Sequence, residues 1–321
     1  MAGRQTGLDS LQADGGGWDS MAPSSPPQIA FIGSDAYRQS AREAGFCEAD
    51  LLRDAFAERG VTLQVVQAYD PQVRWADFAA VLPLGFWGYH RDKGAFLRWQ
   101  ADPVRQGARL INAPEVLRWN LDKAYLLDLK RAGAPVGPLL HFPIGSRPDL
   151  RAVLAQAGWE RYVLKPTTSA NAENTILGVA TPDAAVLALA DTLLHTGGLL
   201  LQPFFPEIVQ EGEWSLIFAA EQLLHSVLKR PRAGDIRSQP DHGGTVIHKE
   251  PDGDLAAQAL AVVRLARSLV GPLAYARVDG FVTQGQLQLI ELELIEPYLF
   301  LKDADPAAAR RLVDAVLQQP I

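Results

Sequence analysis

Residues 275–299, YARVDGFVTQGQLQLIELELIEPYL, constrain this chain more than any other stretch. They read as two strands joined by a glycine-containing turn. Side chains alternate faces with period two, so Tyr275, Arg277, Asp279 and Phe281 share one face of the first strand. Leu287, Leu289, Glu291 and Glu293 share a face of the second. A three-residue turn over 284–286, with Gly285 supplying positive φ, predicts Thr283 opposite Leu287 and Asp279 opposite Glu291. A two-residue turn would put the two acids on opposite faces. In the favoured register three carboxylates and one guanidinium converge on one surface. Like charges at that spacing repel unless a cation sits among them, and hard oxygen donors of this kind suit Mg²⁺. The competing reading is a solvated hairpin face. Arg277 and Asp279 lie between Tyr275 and Phe281 in strands that are otherwise apolar, which favours the metal site: Asp279, Glu291 and Glu293.

The rest of the composition sets bounds. With 321 residues, 48% hydrophobic and 21% charged, the chain is long enough for two or three packed units. A net charge of −7 gives no reason to expect nucleic acid or an anionic membrane as a partner. Cys47 is the single cysteine, which excludes an intrachain disulfide and suits a reducing cytoplasm. No apolar run approaches the roughly 20 residues of a spanning helix, and the N-terminus lacks a signal-peptide pattern. Phosphate-loop, dinucleotide-binding and serine-elbow motifs are all missing, and the six histidines show no zinc spacing.

Residues 1–27, with three consecutive glycines and a Ser-Ser-Pro-Pro run, read as a disordered leader in which Met21 is an alternative start. From Gln28 strands and helices alternate: strands over 29–32, 61–66, 78–82 and 109–111, helices over 48–59 and 94–106. That alternation predicts a parallel sheet with helices on its faces and ligands at the strands' carboxyl ends. Ser34, Asp35, Trp87, Tyr89 and His90 fall there, with ordinary loop chemistry and substrate contact equally open.

Further on, 120–133 reads as one helix with Asn120 as N-cap, Gly133 as C-cap and Leu121, Tyr125, Leu129 and Ala132 buried. Lys123 lies off that stripe in the first turn, where a cation opposes the helix dipole unless it reaches an anion. Lys165 ends a strand and precedes TTSANAENT, whose amides and hydroxyls make a phosphate cover. Residues 199–202 form a strand running into PFFPE. The seventeen residues 229–245 are rich in Gly, Pro and charge, as functional loops are. Lys229 and Arg237 are its candidates for phosphate and substrate carboxylate, with His242, Gly243 and Gly244 at a mobile tip. A helix over 255–269 backs the sheet, and one over 306–318 closes the chain.

Asp279, then Glu291-Leu-Glu293, then Pro297 resembles the metal-binding end of the ATP-grasp ligases, the glutathione-synthetase-like group in particular. Glu293 stands where that group commonly has asparagine. WNLDKAYLLDLKRAGAPVGP resembles the opening of the family's nucleotide-binding region. The resemblance covers about residues 112–302 and implies the following. Lys123 and Lys165 contact nucleotide phosphate, and the loop with Ser169 closes over it, though typical members have glycines there. Gln202, Pro203, Phe204 and Phe205 form the adenine-reading hinge; Glu207, with Glu213 second, holds the ribose. Arg277 stabilises the oxyanion of the reacting carbon. The fold implied is an N-terminal parallel α/β (pre-ATP-grasp) domain over 28–118 and a two-subdomain ATP-grasp fold, 119–203 and 204–321.

The activity implied is ATP- and Mg²⁺-dependent ligation, with Mn²⁺ as an alternative ion. A small carboxylate, an amino acid or derivative, becomes an acylphosphate that an amine attacks, giving an amide, peptide bond or ring. RWNLDKAYLLDL, KPTTSANAENT and GDIRSQPDHGGT are most similar to the branch containing the cycloserine-forming O-ureido-serine cyclo-ligase. The partners implied are small-molecule carboxylate and amine substrates, with room for a homodimer, no nucleic acid and no membrane. The alternative is a catalytically silent ATP-binding sensor or scaffold.

Overall fold

The computed structural model describes residues 26–238 and 242–319. Nearly all of the expected leader, Met21 included, lies outside the described residues. The first sheet is parallel, in the order β2-β1-β3-β4, from β1 (Gln28–Gly33), β2 (Thr62–Val66), β3 (Ala80–Gly85) and β4 (Arg109–Leu110). Its inner strands β1 and β3 are apolar on both faces because both are covered, whereas edge strand β2 exposes Thr62 and Gln64. Phe31 and Leu82 pack with Leu52 and Phe56 of helix Glu48–Ala57 and with Leu312 and Val316 of helix Ala307–Leu317. Ile32 and Val81 pack on the opposite side with Trp75, Phe96 and Trp99. The last helix among the described residues thus completes the layer that β1 begins.

Two antiparallel sheets follow. The smaller runs β5-β8-β6-β7, from β5 (Leu140–Phe142), β6 (Arg161–Pro166), β7 (Ile176–Val179) and β8 (Leu199–Pro203). Helices Leu150–Ala157 and Ala184–Thr196 cover it through Leu154, Leu193 and Leu194. The larger runs β11-β10-β9-β12-β13, from β9 (Glu213–Ala219), β10 (Gln222–Arg230), β11 (Thr245–His248), β12 (Tyr275–Thr283) and β13 (Gln286–Glu293). The expected backing helix spans Gly253–Val270 and buries Leu255, Ala259, Val262 and Val263 against Leu216, Val278 and Leu292. No helix among the described residues is long and apolar enough to cross a membrane.

The structure corrects three local expectations. The 120–133 helix is two helices, Pro114–Asn120 and Tyr125–Arg131, so Asn120 ends one helix and caps neither. Its amide is spent on β13: Nδ2 donates to Leu292 O (2.7 Å) and Oδ1 accepts from Leu294 N (2.9 Å). Ser34 and Asp35 do not form a strand-end ligand loop. Ser34 caps helix Asp35–Ala44 by accepting from Tyr37 N, and Asp35 accepts from Gln67.

The hairpin turn holds two residues, Gln284 and Gly285, both with positive φ (52° and 75°), and pairs Thr283 with Gln286. Both central residues in the left-handed region match the type I′ hairpin turn, whose twist suits the strands it joins. A bulge then leaves Ile290 unpaired in the ladder, so Gly280 faces Leu289 while Asp279 faces Glu291. The extra residue also separates two groups that simple alternation had put together. Leu287 and Leu289 turn to the helix-backed core, whereas Glu291 and Glu293 line the opposite cavity.

Candidate active site

Strand register explains why one face of the larger sheet is charged. Lys229 pairs with Glu213, Asp279 with Ser215 and Glu291, and Arg277 with Glu293. Glu213 and Ser215 are two apart, as are Arg277 and Asp279, so period two puts all of them on the face away from the backing helix. That face floors a cavity of about 1020 Å³ bounded also by β6, β8 and the ends of the parallel strands.

Asp279 is the hub. Its Oδ1 accepts from Ser215 Oγ (2.5 Å) and Arg277 Nε (3.0 Å), and its Oδ2 from Arg277 Nη2 (2.7 Å). Lys229 Nζ lies 3.6 Å from Oδ2 and donates to Glu213 at 2.6 Å. Arg277 and Lys229 beside it hold the Asp279 carboxyl down at about 2, although burial alone would raise it. Arg277 also donates to Glu293 and, through Nη1, to Tyr298 O at 3.0 Å. Glu293 is pushed up to about 7 by burial, against the pull of Arg277 and with the repulsion of Asp279 and Glu291. Glu296 also lines the cavity, and burial together with Glu293 pushes its carboxyl well up.

Lys123, expected off the buried stripe in a first turn and reaching for an anion, is buried between the two short helices and β6. Its Nζ donates to Ser169 O (2.6 Å) and lies 2.9 Å from Glu291. Lys165 is 8% exposed and lines the cavity, yet its ammonium makes no hydrogen bond or ion pair with the described residues. Burial, helped by the charge of Lys123, lowers it to about 8 against the pull of Glu291 and Glu213. A buried, unpaired ammonium open to a cavity is a site for an anion.

Residues 169–175 line the same cavity, and Ser169 O accepts from Lys123. Without glycine, the loop takes left-handed backbone at Asn171, Ala172 and Asn174 (φ 50°, 55° and 57°). His90 Nε2 meets Glu173 at 2.9 Å from the parallel-sheet side, and His242 Nε2, shortly before β11, meets Asn171 O at 3.1 Å. Gln202, Pro203, Phe204 and Phe205 line the cavity's far end, with Phe205 against Phe281 at 4.7 Å between ring centroids. Glu213 lines it as well. Glu207 does not, and its Oε1 accepts from Thr283 Oγ1 instead. Arg237 lines the rim with its guanidinium on Asp235. Of the strand-end residues, Trp87, Tyr89 and His90 reach the cavity.

The three expected metal ligands share the cavity, but each is held by a cation: Asp279 and Glu293 by Arg277, Glu291 by Lys123. Among the described residues no three Asp, Glu, His or Cys side chains are gathered in ligand geometry. The donor set still fits a hard divalent ion, because these are oxygen donors whose mutual repulsion, seen at Glu293 and Glu296, a cation relieves.

The family described as the N-terminal domain of D-cycloserine synthetase DcsG matches residues 29–112. The cycloserine biosynthesis protein DcsG of Streptomyces lavendulae is 29% identical over 279 residues, 81% of this chain and 89% of that protein. The crystal structure of D-cycloserine synthetase DcsG superposes with a TM-score of 0.78 at 25% identity, covering 90% of this chain and 98% of that one. The ATP-grasp ligase PsnB, solved with a precursor variant, Mg and ADP, superposes at 0.56 with 15% identity, over 90% and 98% of the two chains. This chain has the ATP-grasp fold. It is homologous to ATP-grasp ligases. The parallel sheet, where sequence motifs were sparsest, is the part that the DcsG N-terminal family matches.

Sequence reasoning missed Glu48, Glu296, Tyr298 and Phe300, which all line the cavity. Glu48 looked like an ordinary first-turn acid, and its partners lie about 250 residues away. The only signal for the others was their place directly after the Glu-Leu-Glu strand.

Proposed function

We propose that the protein is an ATP- and Mg²⁺-dependent ligase that joins a small carboxylate, an amino acid or derivative, to an amine. The observation that carries this reading is Lys165: a buried ammonium with no hydrogen bond or ion pair among the described residues, beside Lys123, facing a carboxylate-lined floor. Lys123 and Lys165 bind the triphosphate, and the residues 167–175 shield it from water. Gln202, Pro203, Phe204 and Phe205 hold the adenine. Glu213 takes the ribose hydroxyls in preference to Glu207, since only Glu213 lines the cavity. Asp279, Glu291 and Glu293 hold Mg²⁺, which when bound draws charge from the phosphates. A substrate carboxylate oxygen attacks the γ-phosphorus and the bond to the ADP oxygen breaks. An amine nitrogen then attacks the acyl carbon, the bond to phosphate breaks, and the nitrogen loses a proton. Arg277, fixed by Asp279, Glu293 and Tyr298 O, donates to the oxyanion formed in that step. Lys229 and Arg237 serve the phosphate and the substrate carboxylate. The similarity to DcsG favours an amine within the same molecule, which makes the product a ring.

The test is ADP release from Mg-ATP with the common amino acids, both enantiomers, as carboxylates and hydroxylamine as the acceptor. A ligase yields ADP and hydroxamate in equal amounts. Nucleotide binding with no ADP release for any amino acid would mean a nucleotide-binding module instead.

A further inference from the structure

Glu48 opens helix Glu48–Ala57, which belongs to the parallel-sheet layer, yet its carboxylate is spent on the far end of the chain. Oε2 accepts from Leu299 N (3.0 Å) and Oε1 from Leu301 N (2.9 Å), and the side chain is buried. Between those two amides sits Phe300, in left-handed backbone with φ 52°, which a phenylalanine holds only where its surroundings fix it. The guanidinium of Arg277 lies over the Phe300 ring at 5.6 Å and donates to Tyr298 O at 3.0 Å. On the other side His225 Nε2 donates to Leu299 O at 2.8 Å. The residues 298–301 are thus clamped by one acid from the first layer, while two of their carbonyls receive donors from the charged sheet.

We propose that Glu48 is a positioning residue for Arg277: by fixing 298–301 it holds the carbonyl and the ring that aim the guanidinium at the reacting carbon. The inference rests on the ligase reading, since it concerns the step Arg277 serves. It also makes catalysis depend on the docking of the parallel-sheet layer against the charged sheet.

The experiment compares wild type, Glu48→Gln, Arg277→Lys and the double variant in the hydroxylamine assay, with Mg-ATP affinity measured separately. In Glu48→Gln an NH₂ replaces one acceptor and opposes one of the two amides. The expected result is a kcat lower on the order of 10- to 100-fold with Mg-ATP affinity unchanged, as for a small misplacement of a reacting group. In the Arg277→Lys background the same change has little further effect, because both act through one group. Amide exchange at 299 and 301 rises in Glu48→Gln. An unchanged kcat, or losses that multiply in the double variant, overturns the proposal while leaving the ligase reading intact. No ADP release by wild type sinks the ligase reading first and the proposal with it. Should Glu48→Gln not fold, Glu48→Asp, which keeps the charge and withdraws both oxygens by one carbon, carries the same expectation.

Discussion

At the scale of single residues, Lys165 gives the sharpest handle. In the free protein it titrates near 8, lowered chiefly by burial, and only its charged form pairs with phosphate. Below pH 8 the ammonium is present before binding. Above it, binding must first take up a proton, so Mg-ATP affinity is expected to fall as pH rises, approaching tenfold per unit. Calorimetry between pH 7 and 9.5 reads this directly, and Lys165→Arg, charged throughout, should flatten the slope. A wild-type affinity independent of pH across that range would return Lys165 to a structural role. Arg277 belongs to the transition state, and Arg277→Lys keeps the charge but loses the fork that grips Asp279 and Glu293. Its kcat is expected to drop on the order of 100-fold with Mg-ATP binding nearly intact, as for removal of one oxyanion donor. Wild-type turnover in that variant would remove Arg277 from catalysis. Lys123, Lys165 and the Arg277–Asp279 pair were legible because each is marked by its place on an element. Glu48 was not, because a buried helix-start glutamate has the same sequence signature as a solvated one.

At the scale of elements, the hairpin shows how pattern and geometry part ways. Alternation grouped Leu289 with Glu291, and only a bulge, invisible in composition, lets the leucines enter the core while the glutamates enter the cavity. The pairing of Asp279 with Glu291 was therefore right for a reason the sequence did not show: two residues in the turn and one extra in the strand. The turn itself is improvable. Gln284 sits at φ 52°, where a glutamine is strained and an asparagine is at ease. Gln284→Asn should raise unfolding free energy by roughly 0.5–1 kcal/mol without changing ADP release, read from the denaturant midpoint at constant slope. A lower midpoint would mean that the side chain of Gln284 matters more than its backbone. The backing helix, expected over 255–269 from its apolar stripe, spans Gly253–Val270, with Asp252 as N-cap and Gly271 as C-cap. The 120–133 segment misled because its apolar stripe continues through a break that Lys123 and Thr167 impose: Lys123 N donates to Thr167 O (2.7 Å) instead of continuing the helix.

At the scale of the molecule, the cavity exists only while the parallel sheet sits against the charged one, and a single asparagine at the end of the first layer holds much of that seam. Asn112 is 2% exposed. Its Nδ2 donates to Tyr275 O (3.1 Å) and Leu294 O (2.9 Å), and its Oδ1 accepts from Ala274 N (2.7 Å). Tyr275 strengthens the same seam, its hydroxyl donating to Ile111 O and Ile295 O. Asn112 thus binds the entry of β12 and the exit of β13 at once, on either side of Arg277, Asp279, Glu291 and Glu293. Replacing it with alanine removes three buried hydrogen bonds without changing any charge in the cavity. A buried group left unpaired costs ~1–3 kcal/mol, and relaxation recovers part of it. Asn112→Ala is therefore expected to lower unfolding free energy by about 2–4 kcal/mol. Because the strand ends it joins carry the carboxylates, the loss should not be confined to stability: kcat should fall in the folded variant more than Mg-ATP affinity does, since Lys123, Lys165 and the β8 end lie off this seam. Asn112→Asp replaces the donor with a second acceptor facing two carbonyls and should do worse than alanine. If both variants melt like wild type, the two layers are held together elsewhere, by the Glu48 clamp.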